Sequence, residues 1–137
     1  MPEQGTESIL VVDDETVILS LTHAMLTRYG YNVISAQTGG EALRLVASWP
    51  DLKIDMAMID VVMPVMDGIE LTRRLHELRP NLPVLYISAY AENEHLRPIN
   101  TQGLPMIAKP FSSVTLIAKI RKILDRGSAE SASSREP

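Results

Sequence analysis

Short apolar runs alternate along this chain with longer segments of helical period, and several of the runs stop at a charged residue. Ile9-Leu10-Val11-Val12 stops at Asp13-Asp14, Met56-Ala57-Met58-Ile59 at Asp60, and Met106-Ile107-Ala108 at Lys109-Pro110. The alternation is the pattern of βα units around a parallel sheet. It predicts strands at Ser8 to Val12, Tyr31 to Ala36, Met56 to Ile59, Pro83 to Ser88 and Met106 to Ala108. In an open parallel sheet the carboxyl ends of the strands share one rim, so side chains distant in sequence converge there. Three acids and one lysine at such a rim suggest phosphate and metal chemistry.

Between the strands, Val17, Leu21 and Met25 predict a helix from about Glu15 to Tyr29, stopped by Gly30. Ala42, Leu45 and Val46 mark a second helix that ends near Trp49-Pro50, and Asp67-Gly68 opens a third that runs to Arg79-Pro80. Leu116, Ile117, Ile120, Ile123 and Leu124 form the apolar stripe of the last helix. A further element over Ala91 to Asn100 contains Pro98, which lacks an amide donor, so it is expected to be short or irregular. Residues 1–6 are expected to be disordered, residues 7–126 to form one domain, and 127–137 to be a disordered tail or linker, because the Ser- and Ala-rich end has too little apolar surface to offset ordering.

The length of 137 residues fits one domain with a substantial core. A formal net charge of −4 argues against nucleic acid as a direct partner, since phosphate backbones are held by concentrated Lys and Arg. With no cysteine, disulfides and thiolate metal sites are excluded. No apolar run approaches the roughly 20 residues of a membrane helix. The polar opening Met1 to Glu7 also lacks the blocks of a signal peptide, so a cytoplasmic protein without membrane insertion is expected. Singly, the rim residues have ordinary explanations: Asp13 and Asp14 as caps of the first helix, Ser88 as a polar strand end, Lys109 as a solvated lysine. His23, His76 and His95 match no site motif and are read as surface residues.

Together, Asp13-Asp14, the run Asp60-Val61-Val62-Met63-Pro64-Val65-Met66-Asp67-Gly68, Ser88-Ala89 and Lys109-Pro110-Phe111 resemble the receiver domain of two-component response regulators over about residues 7 to 126. The run Ile87-Ser88-Ala89-Tyr90 resembles receivers attached to hybrid sensor kinases. The resemblance implies a flavodoxin-like α/β fold, a doubly wound five-stranded parallel sheet of order 2-1-3-4-5 with helices on both faces. It implies a signalling switch and not a turnover enzyme. Asp60 would accept phosphate from a histidine kinase or histidine phosphotransfer protein, and an output partner or domain would read the state.

By the same resemblance, Mg²⁺ would be bound by Asp14, Asp60 and the Val62 carbonyl, with Asp13 acting mostly through water, while Lys109 and Ser88 would contact the phosphoryl group. Ala89, Tyr90, Met106 and Val62 would tune switching and phosphoryl lifetime. Met106 stands where the family commonly has an aromatic residue, which leaves Tyr90 as the expected reporter of Ser88 movement. The Lys109-Pro110 bond is expected to be cis. Two other readings are a Mg²⁺-dependent aspartyl-phosphate phosphatase and a phosphate-independent binding module of the same fold.

Overall fold

The computed structural model describes residues 5–89 and 105–135, with only the backbone from residue 127 onward. The chain runs through β1 (Ser8–Val12), α1 (Thr16–Arg28), β2 (Asn32–Ala36), α2 (Gly39–Ser48), β3 (Met56–Asp60), α3 (Gly68–Leu78), β4 (Val84–Ser88), β5 (Met106–Ala108) and α4 (Ser113–Arg135). The strands form one sheet in the order β2-β1-β3-β4-β5, and every described pairing is parallel. The five strands stand where the sequence pattern puts them, with ends displaced by one residue at most.

The apolar runs are continuous because the central strands are covered on both faces. Side chains alternate between those faces at the strand period of two. Ile9, Val11, Met56, Met58, Leu85, Ile87 and Ile107 pack on one side with Leu19 and Leu26 of α1 and Leu116, Ile117 and Ile120 of α4. Leu10, Val12, Ala57 and Ile59 pack on the other with Ala42 and Val46 of α2 and Leu71 and Leu75 of α3. Each large side chain buried this way contributes about 1.5–3 kcal/mol. That burial makes the sheet a rigid base for whatever its carboxyl rim carries.

One buried group opposes this packing. Thr22 lies on the inner face of α1, 1% exposed, and its hydroxyl has no hydrogen-bond partner among the described residues. Thr22→Val removes that orphaned polar atom at nearly constant shape, so it is expected to stabilise the fold by about 1 kcal/mol. Urea unfolding checks this, and a lower midpoint for the valine variant would show that the hydroxyl is satisfied after all.

Turns and caps set the element ends. α1 closes with Gly30 N–H donating to the Thr27 carbonyl and Tyr31 N–H to the Leu26 carbonyl, a Schellman arrangement that needs a left-handed residue. Gly30 supplies it with φ +96°, and a Cβ there would lie 2.4 Å from the Gly5 carbonyl oxygen. Gly5 N–H in turn donates to the Tyr29 carbonyl, so Gly5 and Thr6 are tied to the domain and the expected disorder of residues 1–6 does not extend to them. Residues 1–4 lie outside the described residues. α2 starts at Gly39, earlier than its apolar positions suggest, because Thr38 Oγ1 accepts from Glu41 N–H. α3 is capped by Asp67 Oδ1, which accepts from Glu70 N–H at 2.8 Å.

The end of the chain departs from expectation. α4 continues past 126 to Arg135, where the sequence suggests a disordered tail or linker. An established helix adds residues at small cost each, and the single Gly127 lowers that tendency by only about 1 kcal/mol. The first part of α4 is fastened by Arg121, whose guanidinium donates to both carboxylate oxygens of Glu7 at 2.9 Å. The expected irregular element over Ala91 to Asn100, with Pro98, lies outside the described residues.

Candidate functional site

Strand register brings the polar residues of the rim to one level. Val12 pairs with Ile59, which sets Asp13 beside Asp60. Asp60 pairs with Ile87, and Ser88 with Ala108, so Ser88 and Lys109 follow on the next two strands. Asp13 is fully buried, Asp60 is 4% exposed and Ser88 1%. Tight backbone connections hold the acids: Asp13 N–H donates to the Ala36 carbonyl, Val61 N–H to the Ile87 carbonyl, and Val62 N–H to Asp60 Oδ1 at 3.2 Å. The Lys109-Pro110 bond is cis, as the family resemblance implies, and Lys109 N–H donates to the Ser88 carbonyl.

Lys109 is the centre of the charge arrangement. Its Nζ lies 3.0 Å from Asp13 Oδ2, 2.9 Å from Glu15 Oε1 and 3.2 Å from Asp60 Oδ2, with the lysine side chain only 7% exposed. Burial by itself would lower the lysine pKa. Its hydrogen bonds to Glu15 and Asp13 and the charges of Asp60 and Asp13 outweigh that and hold it above the ordinary lysine value, so the ammonium stays charged. For Asp60 the balance goes the other way. Burial, then repulsion from Asp13, push its pKa up to about 7 against the opposing pull of Lys109.

Three carboxylates with one ammonium leave the group short of positive charge. Asp13, Glu15 and Asp60 each present an oxygen within 4.8 Å of the others. Asp13 Oδ2 is buried and faces the Lys109 ammonium at 3.0 Å. A buried all-oxygen set with an excess of negative charge suits a hard divalent cation better than a thiolate- or imidazole-seeking one.

The Asp60 shift has a measurable consequence. A carboxyl whose folded pKa is raised favours its protonated form in the native state, so its contribution to stability is fully present below the ordinary value of 3.8 and is lost as pH rises through about 7. In the metal-free protein, the stability gap between wild type and Asp60→Asn is therefore expected to widen in favour of the asparagine variant from pH 5 to pH 8. Urea titrations at the two pH values measure it; a gap that does not change with pH would contradict the repulsive setting of Asp60.

Of the residues singled out from sequence, the structure brings Asp13, Asp60, Ser88 and Lys109 to the rim. Asp14 is half-buried and is not among the converging carboxylates; Glu15 takes that place. Glu15 was missed because it reads as the first residue of a helix. The sole signal was a third consecutive acid after the strand, whose N–H turns back to Asp13 Oδ1. Val62 is 45% exposed beside Asp60, and Ala89 is exposed after Ser88. Tyr90 lies outside the described residues. Met106 is half-buried and pairs with Tyr86 of β4, so a buried aromatic ring sits one strand away from the position where the family commonly has one.

Comparison with known proteins agrees with this geometry. The family model described as the response regulator receiver domain matches residues 9–121. Response regulator MprA of Mycolicibacterium vanbaalenii is 35% identical over 130 residues, covering 90% of this chain and 55% of that protein. The chain thus spans about half the length of the curated relatives it matches. Among solved structures, the CheY-like receiver domain protein of Methanospirillum hungatei JF-1 superposes with a TM-score of 0.79 at 34% identity, covering 92% of this chain and 99% of that one. A chain from the CheX–CheY–BeF3–Mg²⁺ complex of Borrelia burgdorferi does so with a TM-score of 0.75 at 26% identity, covering 85% and 88%. With its 2-1-3-4-5 sheet and its acid-and-lysine rim, the chain belongs to the receiver domain family of two-component response regulators.

Proposed function

We propose that Asp60 is the phosphoacceptor of this receiver, taking a phosphoryl group from the phosphohistidine of a histidine kinase or phosphotransfer protein in a Mg²⁺-dependent step. The observation that carries the reading is the convergence of the buried Asp13 and Asp60 on a single buried ammonium, Lys109. Asp60 attacks phosphorus through a carboxylate oxygen and the donor imidazole leaves, so an acyl phosphate replaces the phosphohistidine. Phosphoryl transfer depends chiefly on position and on neutralising the phosphoryl oxygens. Lys109 would supply one fixed positive charge, and the hydroxyl of Ser88, at the end of the neighbouring strand, would donate to a phosphoryl oxygen. Asp13 and Asp60 would hold Mg²⁺, with Asp14 and the Val62 carbonyl added by family resemblance. The cation supplies further positive charge for the oxygens in transfer. The Borrelia complex, with beryllofluoride and Mg²⁺, supports this choice of ion.

The reading makes the chain a switch whose output lies in a partner or in further sequence, acting in the cytoplasm without direct contact to nucleic acid. No described helix is long and apolar enough to cross a membrane. Segments that follow the carboxyl ends of the strands carry exposed apolar side chains, Val17 of α1, Val62 and Val65 after β3, and Val114 of α4, and a donor docking on the rim would cover them. Ala89, Tyr90 and Met106 remain the positions proposed to tune the response. The test is incubation with acetyl phosphate and Mg²⁺ followed by mass spectrometry: a single hydroxylamine-sensitive phosphoryl group on Asp60 is expected, and modification elsewhere or none at all would refute the reading.

A further inference from the structure

Lys109 carries three N–H donors and faces three carboxylates. Phosphorylation converts the Asp60 carboxylate to an acyl phosphate and moves its negative charge outward onto the phosphoryl oxygens, so the ammonium that follows this charge either keeps or releases its other two partners. Those two, Asp13 and Glu15, are not equal. The Asp13 side chain is 1% exposed, and withdrawing the ammonium from it strands a buried charge. The Glu15 side chain is 58% exposed, and an ion pair at that exposure is worth little because water takes over the carboxylate when it parts.

Glu15 is also free of other duties. It occupies the N-cap of α1, yet its side chain makes no capping bond, and the first turn of α1 holds no acidic residue, although a helix start favours one. The carboxylate reaches Lys109 Nζ at 2.9 Å instead.

Building on the phosphoacceptor reading of Asp60, we propose that Glu15 is a positioning residue that competes with the phosphoryl group for Lys109. It holds the ammonium over the unmodified rim and gives it up when Asp60 carries phosphate. A phosphoryl group bearing roughly 1.5 to 2 negative charges outbids a single solvated carboxylate. Release leaves an unpaired acid at the positive end of α1, where it is favourably placed. Phosphorylation thereby gains a second readout at the α1 start, separate from the loop after Ser88. The competing role for Glu15 is that of a third carboxylate for the metal, since its oxygen lies within reach of Asp13 and Asp60. The two roles predict opposite effects of removing its charge.

The experiment is a titration with beryllofluoride at saturating Mg²⁺, using the full chain and Glu15→Gln, a surface substitution that leaves the core untouched. Competition predicts tighter binding in the variant, by about threefold to fivefold, the range an exposed ion pair sustains. Unchanged or weaker binding overturns the proposal, and weaker binding assigns Glu15 to the metal. In the unsubstituted protein, the Glu15 carboxyl carbon, followed by NMR, should move to the position of a solvated glutamate when beryllofluoride is added. If it stays in place while beryllofluoride binds, the inference fails and the phosphoacceptor reading stands. No binding to the unsubstituted protein removes both.

Discussion

Asp60→Asn is expected to abolish the hydroxylamine-sensitive phosphoryl group and, at the same time, to make the metal-free protein more stable. The first effect follows from chemistry: the amide is not a nucleophile toward phosphorus, and no second carboxylate occupies the end of β3. The second follows from the cost of the native charge. Burial and the neighbouring Asp13 push the Asp60 carboxyl up to about 7, so keeping it ionised at pH 8 opposes folding. At about 1.4 kcal/mol per pKa unit, a neutral isostere should recover a few kcal/mol. The two measurements, labelling with acetyl phosphate and unfolding in urea, move in opposite directions, a pattern that general misfolding does not produce. An asparagine variant that still takes up phosphate, or one that is less stable at pH 8, would contradict the placement of Asp60 at the centre of the acid cluster. On the proposed reading function runs against stability, because the rim holds like charges together for a cation and a phosphoryl group to use.

The second large effect is expected at Gly68, the first residue of α3. A Cβ there would stand 2.4 Å from the Asp60 carbonyl oxygen and 2.9 Å from Val61 Cα, both backbone atoms that cannot swing aside. Gly68 N–H also donates to the Val61 carbonyl at 2.8 Å, tying the start of α3 to the chain that leaves Asp60. Replacing a helical glycine with alanine ordinarily gains up to about 1 kcal/mol. Forcing two backbones apart costs about 1–3 kcal/mol. The clash should therefore win, with Gly68→Ala destabilised by about 2 kcal/mol, and the displaced Asp60 should label more slowly with acetyl phosphate. A variant as stable and as quickly labelled as wild type would mean that α3 can shift away from the site without consequence. Asp67-Gly68 is thus structural, as its turn-forming composition suggests, but its structure is what presents Asp60.

The fold was legible because its signals are local. Continuous apolar runs such as Ile9 to Val12 and Met56 to Ile59 need cover on both faces, and that requirement calls for a sheet between two helical layers. Helix ends were legible where a single residue enforces them, as Gly30 does through its left-handed backbone. The extension of α4 to Arg135 was not, because Ser- and Ala-rich sequence is near neutral between helix and coil and the preceding packed turns tip it.

The site divides in the same way. Residue types at strand ends were readable from sequence, and with the family motifs they named Asp13, Asp14, Asp60, Ser88 and Lys109; parallel register then carries Asp13, Asp60, Ser88 and Lys109 to one level. Which two of three consecutive acids would meet the lysine was not readable. Asp13, Asp14 and Glu15 differ little in chemistry, and the choice depends on the turn between β1 and α1, where Glu15 N–H bonds back to Asp13 and the Glu15 carboxylate swings over Lys109. The pairing of Tyr86 with Met106 is likewise a product of strand register. By itself the sequence determined the layers, the rim and the kinds of charge it carries, since these follow from periodicity and composition. Only the tertiary structure decided how those charges are shared around one ammonium, because that depends on directions and distances between side chains far apart in the chain.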